Sequence, residues 1–406
     1  MTCCGVAAKS HSTLCLKVIK LEMILNHPAG SSRAVSAFAK VETTTRLDDI
    51  RDDWIALASE AAISPYQTHT FLSKWADTIG RRDGAAPFII CARNSLGQMQ
   101  AIVPLCLERR AGLDIALFLG GRESNFNLPI LAHGPVDESA IRMLLHEAAR
   151  QAARKPDLYY FRSQPRCFDG AHNPFVFADS RMSASMAYGT SLPAREADLA
   201  ARFSADTRKK LRKKAARLET LGPLVYDHDA RGAAVDEILE ALIEQKSARF
   251  AEMGIRTGFD TGGVRAFLEQ LVTQADHPLE LHALRAGGRI VATYAGIVRG
   301  GRFSAMLNSY DMSEEIARSS PGDLLLHALM RNLVSRGFAH FDLGAGEARY
   351  KKAVCEETIE LYDTIVPVSL RGALATSLLA AFLGVKRQVK KSDRLTRAYH
   401  RLRAKM

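Results

Sequence analysis

The spacing of apolar residues predicts the same series of structural elements twice along the chain. In the first series, apolar positions recur at helical spacing in three segments, near 48–61, 69–79 and 138–154. Strands are predicted where β-branched and aromatic residues cluster between turn residues, at 86–93, 99–108, 113–120 and 157–163. The separators 94–97 and 110–112 contain Asn or Gly, which favours hairpin connections between the first three strands.

The second series follows the same order over nearly the same length. Its helices are predicted at about 233–252, 263–274 and 322–336. Its strands are predicted at 279–286, 289–298, 302–310 and 339–343, and glycine pairs separate the first three. The two series share no string of residues, so order and spacing alone indicate a duplication.

Two helices, an antiparallel meander, a helix and a further strand make one lobe of an α/β (α+β) fold. A chain of 406 residues is long enough for two such packed units. We therefore predict two tandem lobes, each with a mixed and mostly antiparallel sheet flanked by helices. The predicted boundaries are a weakly ordered extension at 1–40, a first lobe at 41–190, a second lobe at 191–365 and a basic amphipathic tail at 366–406.

The composition is that of an ordinary globular protein and argues against a metal site. Apolar residues make up 47% and charged residues 24% of the chain. The seven cysteines contain no CxxC pair, and the twelve histidines contain no HxH or HExxH motif. Free thiols suit a reducing compartment, and no secretory signal is visible because Lys17, Lys20 and Glu22 interrupt the early apolar run. We predict a cytoplasmic location and no metal.

Positive charge is concentrated in two segments. The net charge is +11; residues 202–217 hold eight bases against Asp206, and residues 366–406 hold ten bases against Asp393. The bases of a predicted helix at 202–219 fall on most of its faces, which suits phosphate contacts without base reading. An anionic acceptor or a tRNA backbone would use the helix in this way. The alternative is a solvated helix that connects the lobes, and no DNA partner is predicted.

The tail combines a short apolar run with a series of bases. Residues 373–385 are mostly apolar but fewer than the roughly 20 that span a bilayer. Bases follow at Lys386, Arg387, Lys390 and Lys391. This order is typical of an interfacial helix on an anionic membrane surface, here the inner face of the membrane. The alternative is a helix docked on the body with a basic end.

The segment 341-FDLGAGEARYKKAV-354 is the most informative one for chemistry. A predicted helix and strand lead into an acid, a phenol and an ammonium group, which in α/β folds marks a site at the C-terminal end of a strand. The clustered candidates are Asp342, Glu347, Tyr350 and Lys351. A dinucleotide fingerprint is disfavoured because its third glycine position holds Arg349. The alternative for 347–352 is a solvated helix with a Glu347–Lys351 ion pair.

Four segments, in this order, resemble the CelD-like branch of the GNAT acyltransferase superfamily, which is similar in turn to the FemABX peptidyltransferases. They cover roughly residues 45–365. The segments are the Trp54–Leu57 helix with 71-FLSKW-75, the run 102-IVPLCLERR-110 with 118-FLGG-121, the basic helix 208–219 and the closing segment 341–354. The resemblance implies an acyl-CoA-dependent N-acyltransferase that binds its donor in the second lobe and its acceptor between the lobes.

The resemblance also implies a donor site. In the superfamily a glycine-containing loop before the central helix binds the pyrophosphate of acyl-CoA, and here 318-RSSPGD-323 takes that position. Acetyl-CoA or another acyl-CoA is therefore the expected co-substrate, held at a helix N-terminus. The candidate donor-binding residues are Arg318, Ser319, Ser320, Gly322 and Asp323.

Acyl transfer to an amine needs a base, donors for the oxyanion and an acid for the thiolate. By the resemblance, the base is Asp342 or Glu347, the charge stabiliser is Lys351 and the acid is Tyr350. Arg249 and Tyr310 are candidates for binding the acceptor, although a helix-terminal cation and a turn are their simpler explanations.

The acceptor expected from the resemblance is a small-molecule amine, an amino sugar or a precursor of the cell envelope or of a polysaccharide. Two other functions stay open. One is a FemABX-like transfer from aminoacyl-tRNA, which would use the basic helix. The other is a non-catalytic accessory role in cellulose-type polysaccharide synthesis.

Overall fold

The computed structural model describes residues 38–254, 263–346 and 348–391. The predicted extension at 1–40 lies almost wholly outside these ranges. Helices of the first half are α1 (Arg51–Glu60), α2 (His69–Trp75) and α3 (Glu138–Gln151). Helices of the second half are α4 (Glu196–Ala201), α5 (Ala205–Glu219), α6 (Ala233–Glu252), α7 (Gly263–Val272), α8 (Glu314–Ala317), α9 (Pro321–Ser335), α10 (Arg349–Val354) and α11 (Leu370–Lys391).

The strands follow the same division. Those of the first half are β1 (Lys40–Thr44), β2 (Ala86–Arg93), β3 (Met99–Arg110), β4 (Leu113–Phe118), β5 (Ile130–Leu131), β6 (Leu158–Pro165), β7 (Cys167–Phe168), β8 (Ala171–His172), β9 (Arg181–Met182) and β10 (Ala187–Ser191). Those of the second half are β11 (Leu224–Asp227), β12 (Leu279–Ala286), β13 (Arg289–Arg299), β14 (Arg302–Tyr310), β15 (His340–Ala345), β16 (Glu357–Ile359) and β17 (Leu361–Pro367).

Two mixed, mostly antiparallel sheets form the framework. The first has the order β1-β2-β3-β4-β6-β17-β9, with β5 paired to β3, and the second has the order β11-β12-β13-β14-β15-β10-β16. Each sheet contains a meander followed by one parallel pair, β4 with β6 and β14 with β15. The predicted α/β fold with two tandem lobes is confirmed. Several strands, including β2, β12 and β14, have the predicted bounds.

Each sheet is completed by a strand from the other half of the chain, which the apolar pattern did not predict. β17 follows the second half in sequence, yet it pairs antiparallel with β6 of the first sheet. β10 closes the first half, yet it pairs antiparallel with β15 of the second sheet. The predicted boundaries after residues 190 and 365 fall inside these two strands. Neither sheet is therefore complete without a segment from the other half.

The helices divide the apolar interior into three cores. α3 covers the outer face of the first sheet, and α9 covers the outer face of the second. The largest core lies on the inner faces, where α1, α2, α6 and α7 contribute side chains. Phe71 of α2 and Phe267 of α7 meet there edge to face, with ring centroids 5.2 Å apart. Trp54 and Trp75 are buried in the same core.

Candidate active site

The parallel strands β14 and β15 separate along their length and open a cleft in the second sheet. They pair only at their beginnings, where residues 302–304 lie beside residues 340–342. Beyond that point β14 stays paired with β13 as far as Tyr310, while β15 stays paired with β10. Beyond their paired ends, the backbone N–H and C=O groups of β14 and β15 that face the gap do not bond to each other. They need other hydrogen-bond partners, which a further chain segment or a ligand can supply.

The narrow end of this cleft is bridged by Asn125, a residue of the first half. Its amide group donates to the Ala305 carbonyl (3.0 Å) on β14 and accepts from the Ala345 N–H (3.0 Å) on β15. The same amide donates to the Tyr66 hydroxyl (2.8 Å), and that hydroxyl donates to Ala305 O (3.1 Å). Asn125 thus takes the place of a ladder bond between two strands that have separated.

Gly344 makes room for this bridge. Its φ is +68°, and a Cβ there would lie 2.3 Å from the Asn125 amide nitrogen. Any other residue here would be strained by the left-handed backbone conformation, and its side chain would collide with Asn125. Gly344 lies within β15, not in a turn, so its role is to admit the first half to the cleft.

Replacing Asn125 with alanine is expected to destabilise the protein by about 1–3 kcal/mol, because Ala305 O and Ala345 N lose their bridging partner. Urea unfolding measures the change in free energy. Asn332→Ala is the control, since that half-buried amide on α9 accepts only a long bond from Arg336 (3.4 Å). Equal midpoints for the two variants would contradict the bridging role.

Lys351 and Tyr350 of α10 contact opposite sides of the cleft. Lys351 is buried, and its Nζ donates to the carbonyls of Gly344 (3.2 Å) and Ala345 (2.9 Å) on β15. Burial lowers the pKa of this ammonium to about 8. The Tyr350 hydroxyl is hydrogen-bonded to the side chains of Asn308 on β14 and Tyr294 on β13, and burial raises its pKa. An ammonium and a protonated phenol therefore line the same opening.

A second lysine, Lys246 of α6, joins them and was not predicted. Its Nζ donates to the Asn308 carbonyl (3.0 Å) on β14. Burial, with a smaller contribution from the charge of Arg249, lowers its pKa, and its own charge helps to lower the pKa of Lys351. The sequence could have indicated that Lys246 is buried. It lies four residues from both Leu242 and Phe250, on the apolar side of α6.

Asp342 is held in a buried ion pair. Both of its oxygens accept from the Arg302 guanidinium (2.9 and 3.0 Å), and one also accepts from the Ser304 hydroxyl (2.9 Å). The Arg302 guanidinium also donates to the carboxylate of Asp169 in the first half (2.5 Å). Burial raises the pKa of Asp342, while Arg302 opposes that shift. Glu347, the other predicted base, lies outside the described residues.

The predicted donor loop is assembled at the start of α9. Ser320 adopts a left-handed conformation (φ +46°) as the N-cap, and Pro321 takes the first helical position. Among the described residues the Gly322 N–H has no backbone acceptor, and the buried Ser319 hydroxyl has no hydrogen-bond partner. A helix N-terminus with a free N–H favours an anion.

The basic helix α5 packs beside this loop. Lys214 donates to the Asp323 carboxylate (2.7 Å), and Arg217 donates to the Arg318 carbonyl (3.2 Å). Arg318 itself forms an ion pair with Glu314. The tertiary fold thus brings together two segments that the sequence gives no reason to connect.

Tyr310 and Arg249 lie at different places around the cleft. Tyr310 ends β14 and reaches the donor loop, since a Cβ on Gly322 would lie 3.9 Å from its ring. Asp311 accepts from the Ser313 N–H (2.9 Å), as the turn interpretation predicts. Arg249 is exposed and pairs with Glu252 (2.8 Å). No cluster of His, Cys, Asp or Glu able to hold a metal ion occurs within the described part of the chain.

Part of the chain matches a family of known proteins. The part of the chain at residues 205–352 matches a family model described as an acetyltransferase (GNAT) domain. It includes the cleft, α5, the donor loop and the lysines. No curated protein has a sequence similar enough to count as a relative.

Solved structures resemble a larger part of the chain. The crystal structure of FemX matches with a TM-score of 0.54 at 13% identity, over 82% of this chain and 99% of FemX. A conserved protein of unknown function from Bacteroides thetaiotaomicron matches with a TM-score of 0.51 at 12% identity, over 80% and 100%. A tandem GNAT protein from the clavulanic acid biosynthesis pathway matches at 0.45 and 11%, over 80% and 98%. At these identities the first two similarities show the fold alone.

Proposed function

We propose that this protein transfers an acyl group from acyl-CoA, such as acetyl-CoA, to an amine. The observation that carries the proposal is the cleft between β14 and β15, which has an ammonium and a phenol at its sides and a helix N-terminus beside it. A thioester in the cleft would meet the charged and hydrogen-bonding groups that acyl transfer needs. The family match of residues 205–352 supports the same reaction class.

In this proposal the amine attacks the thioester carbonyl, and the carbonyl oxygen becomes an oxyanion. The ammonium of Lys351, with Lys246 beside it, stabilises that negative charge in a site largely shielded from water. When the C–S bond breaks, the Tyr350 hydroxyl gives its proton to the departing thiolate. The amine loses its proton to a carboxylate. Because Asp342 is engaged by Arg302 and Ser304, we assign it to positioning β15, which leaves Glu347 as the predicted base.

The phosphates of the donor are assigned to the start of α9. The N–H of Gly322 and the hydroxyls of Ser319 and Ser320 offer hydrogen bonds, and Arg318 adds a charge. Lys214 and Arg217 of α5 strengthen the positive potential there. Asp323 works against an anion at this place, and its pairing with Lys214 offsets that effect.

Reversing the charge at Arg318 tests the donor site. Arg318→Glu is expected to weaken acetyl-CoA binding about tenfold or more, because a carboxylate replaces a cation beside the pyrophosphate. Titration calorimetry measures the change in Kd. Arg331→Glu is a matched control: both arginines lie on the surface near α9, are similarly exposed and pair with one carboxylate. The same weakening in both variants would indicate a general loss of positive charge and not a phosphate site.

The acceptor is assigned by analogy with the CelD-like resemblance. A small-molecule amine, an amino sugar or an envelope or polysaccharide precursor is the expected acceptor, with Tyr310 and Arg249 as candidate binding residues. The free thiols of Cys91 and Cys106 suit the reducing cytoplasm as the place of the reaction. A structure with both CoA and an amino sugar bound would identify the acceptor.

A transfer from aminoacyl-tRNA is the second candidate, favoured by the basic helix α5 beside the donor loop. Calorimetry with acetyl-CoA and with charged tRNA separates the two. Binding of tRNA without binding of acetyl-CoA would overturn the first proposal. A non-catalytic accessory role predicts full complementation by both Tyr350→Phe and Lys351→Ala in a cell that lacks the wild-type protein.

A further inference from the structure

The last helix, α11, presents a row of large apolar side chains to solvent. Leu370, Leu374, Leu378 and Phe382 recur every fourth residue and are 88%, 74%, 75% and 62% exposed. Residues at this spacing lie along one side of a helix. We call these four residues the apolar stripe. A continuous row of this kind marks a surface that another body covers, whereas single exposed apolar residues are ordinary.

The opposite side of α11 is attached to the first sheet, so the stripe is held outward. A Cβ on Gly372 would lie 1.8 Å from the Asp157 carbonyl oxygen, which shows how closely the helix approaches the loop before β6. Asp157 also accepts from the Ser369 hydroxyl (2.6 Å) and from Arg371 (3.3 Å). Further along, Ala380 is buried and its carbonyl accepts from Arg181 (3.3 Å). The helix cannot turn its stripe inward without breaking these contacts.

The chain beyond the stripe is strongly basic. Residues 386–406 contain nine Lys or Arg against the single acid Asp393. Clusters of bases beside an amphipathic helix are attracted to anionic lipid headgroups, and each base near the surface adds to that attraction. No helix of the described residues is long and apolar enough to cross a membrane. The combination of an outward apolar stripe and adjacent bases fits the plane of a bilayer surface.

We propose that α11 binds the protein to an anionic membrane surface. The apolar stripe enters the boundary between headgroups and acyl chains, and the positive charge of residues 386–406 attracts the protein to anionic headgroups. A second copy of the chain is the competing occupant of the stripe, but nine bases on each copy would repel one another at such an interface. This proposal stands on the outward stripe and the charge, and it does not depend on acyl transfer.

Sedimentation with lipid vesicles tests the proposal on the full chain. Wild-type protein is expected to sediment with phosphatidylcholine vesicles that contain about 30% phosphatidylglycerol, and much less with phosphatidylcholine alone. Leu374→Ser with Leu378→Ser is expected to lower the partition coefficient about tenfold or more, because the apolar area that enters the bilayer is lost. Raising the salt concentration is expected to release the wild-type protein.

The control exchanges two other exposed apolar residues. Leu96→Ser with Met143→Ser alters side chains that are 80% and 63% exposed in the first half, and it is expected to leave vesicle binding unchanged. Unchanged melting temperatures show that both double variants fold. The proposal is overturned if the stripe variant binds as well as wild type. It is also overturned if wild type ignores vesicles and forms a concentration-dependent dimer that the stripe variant loses.

Discussion

Replacing Lys351 with methionine is expected to lower kcat of acyl transfer by about 100-fold or more, because the oxyanion loses a preorganised charge. Methionine keeps much of the length and the apolar stem, so the buried position stays filled. Acetyl-CoA binding is expected to change much less than kcat, since the charge of the oxyanion appears only in the transition state. Steady-state kinetics with a thiol-detecting reagent measures both parameters.

Lys352 provides the matched control. It is the next residue of α10 and is exposed, whereas Lys351 is buried. Lys352→Met is expected to retain activity close to wild type. A similar loss in both variants would point to damage to α10, and full activity of Lys351→Met would exclude Lys351 from the chemistry.

The pH dependence gives a second readout of Lys351. Burial lowers its pKa from 10.5 to about 8, so the folded chain releases this proton at a lower pH than the unfolded chain does. Between these values the unfolded state binds more protons, and the contribution of Lys351 to stability rises with pH. The charge that we propose for catalysis behaves oppositely, because the ammonium is lost as the pH rises through about 8. Wild-type kcat is therefore expected to fall above that pH, and the profile of Lys351→Met is expected to lack this fall.

Replacing Asp342 with alanine is expected to cost about 3 kcal/mol of unfolding free energy, because Arg302 is left buried without its main partner. Asp169 still pairs with Arg302, which keeps the loss near the lower end of the usual range. Urea unfolding followed by circular dichroism measures the effect. Asp77→Ala, which breaks an exposed pair with Arg81, is the control and is expected to cost under about 0.5 kcal/mol.

A double-mutant cycle with Arg302→Met separates structure from catalysis at Asp342. If the carboxylate mainly balances Arg302, the double variant is expected to recover part of the lost stability. Activity per folded molecule then decides its chemical role. A loss of kcat that persists in a double variant of restored stability would show that Asp342 is the base after all.

Much of the fold could be predicted because its signals are local. Apolar periodicity and turn residues placed the two meanders and the helices that flank them, and several strands have the predicted bounds. The short strands β10 and β17 were missed. Their partners lie far away in sequence, and a run of five to seven residues carries little periodicity of its own.

The candidate site divides in the same way. The sequence predicted Asp342, Tyr350 and Lys351 as candidate site residues, because an acid, a phenol and an ammonium follow one apolar run; the structure pairs Asp342 with Arg302 instead. The burial that sets the pKa of Lys351 was not visible, since a lysine in a basic segment looks exposed. Lys246 was overlooked because a lysine in a helix with many charged residues looks exposed, although its position on the apolar side of α6 marks it.

By itself, the sequence determined the type and order of the meander strands and the helices that flank them, because these depend on residues that are neighbours along the chain. Only the tertiary structure decided how the halves interlock and what closes the cleft. Asn125 and Ala345 are 220 residues apart, yet their hydrogen bond bridges β14 and β15. Such pairing depends on the shape of both halves at once, and no local pattern of apolar and polar residues encodes it.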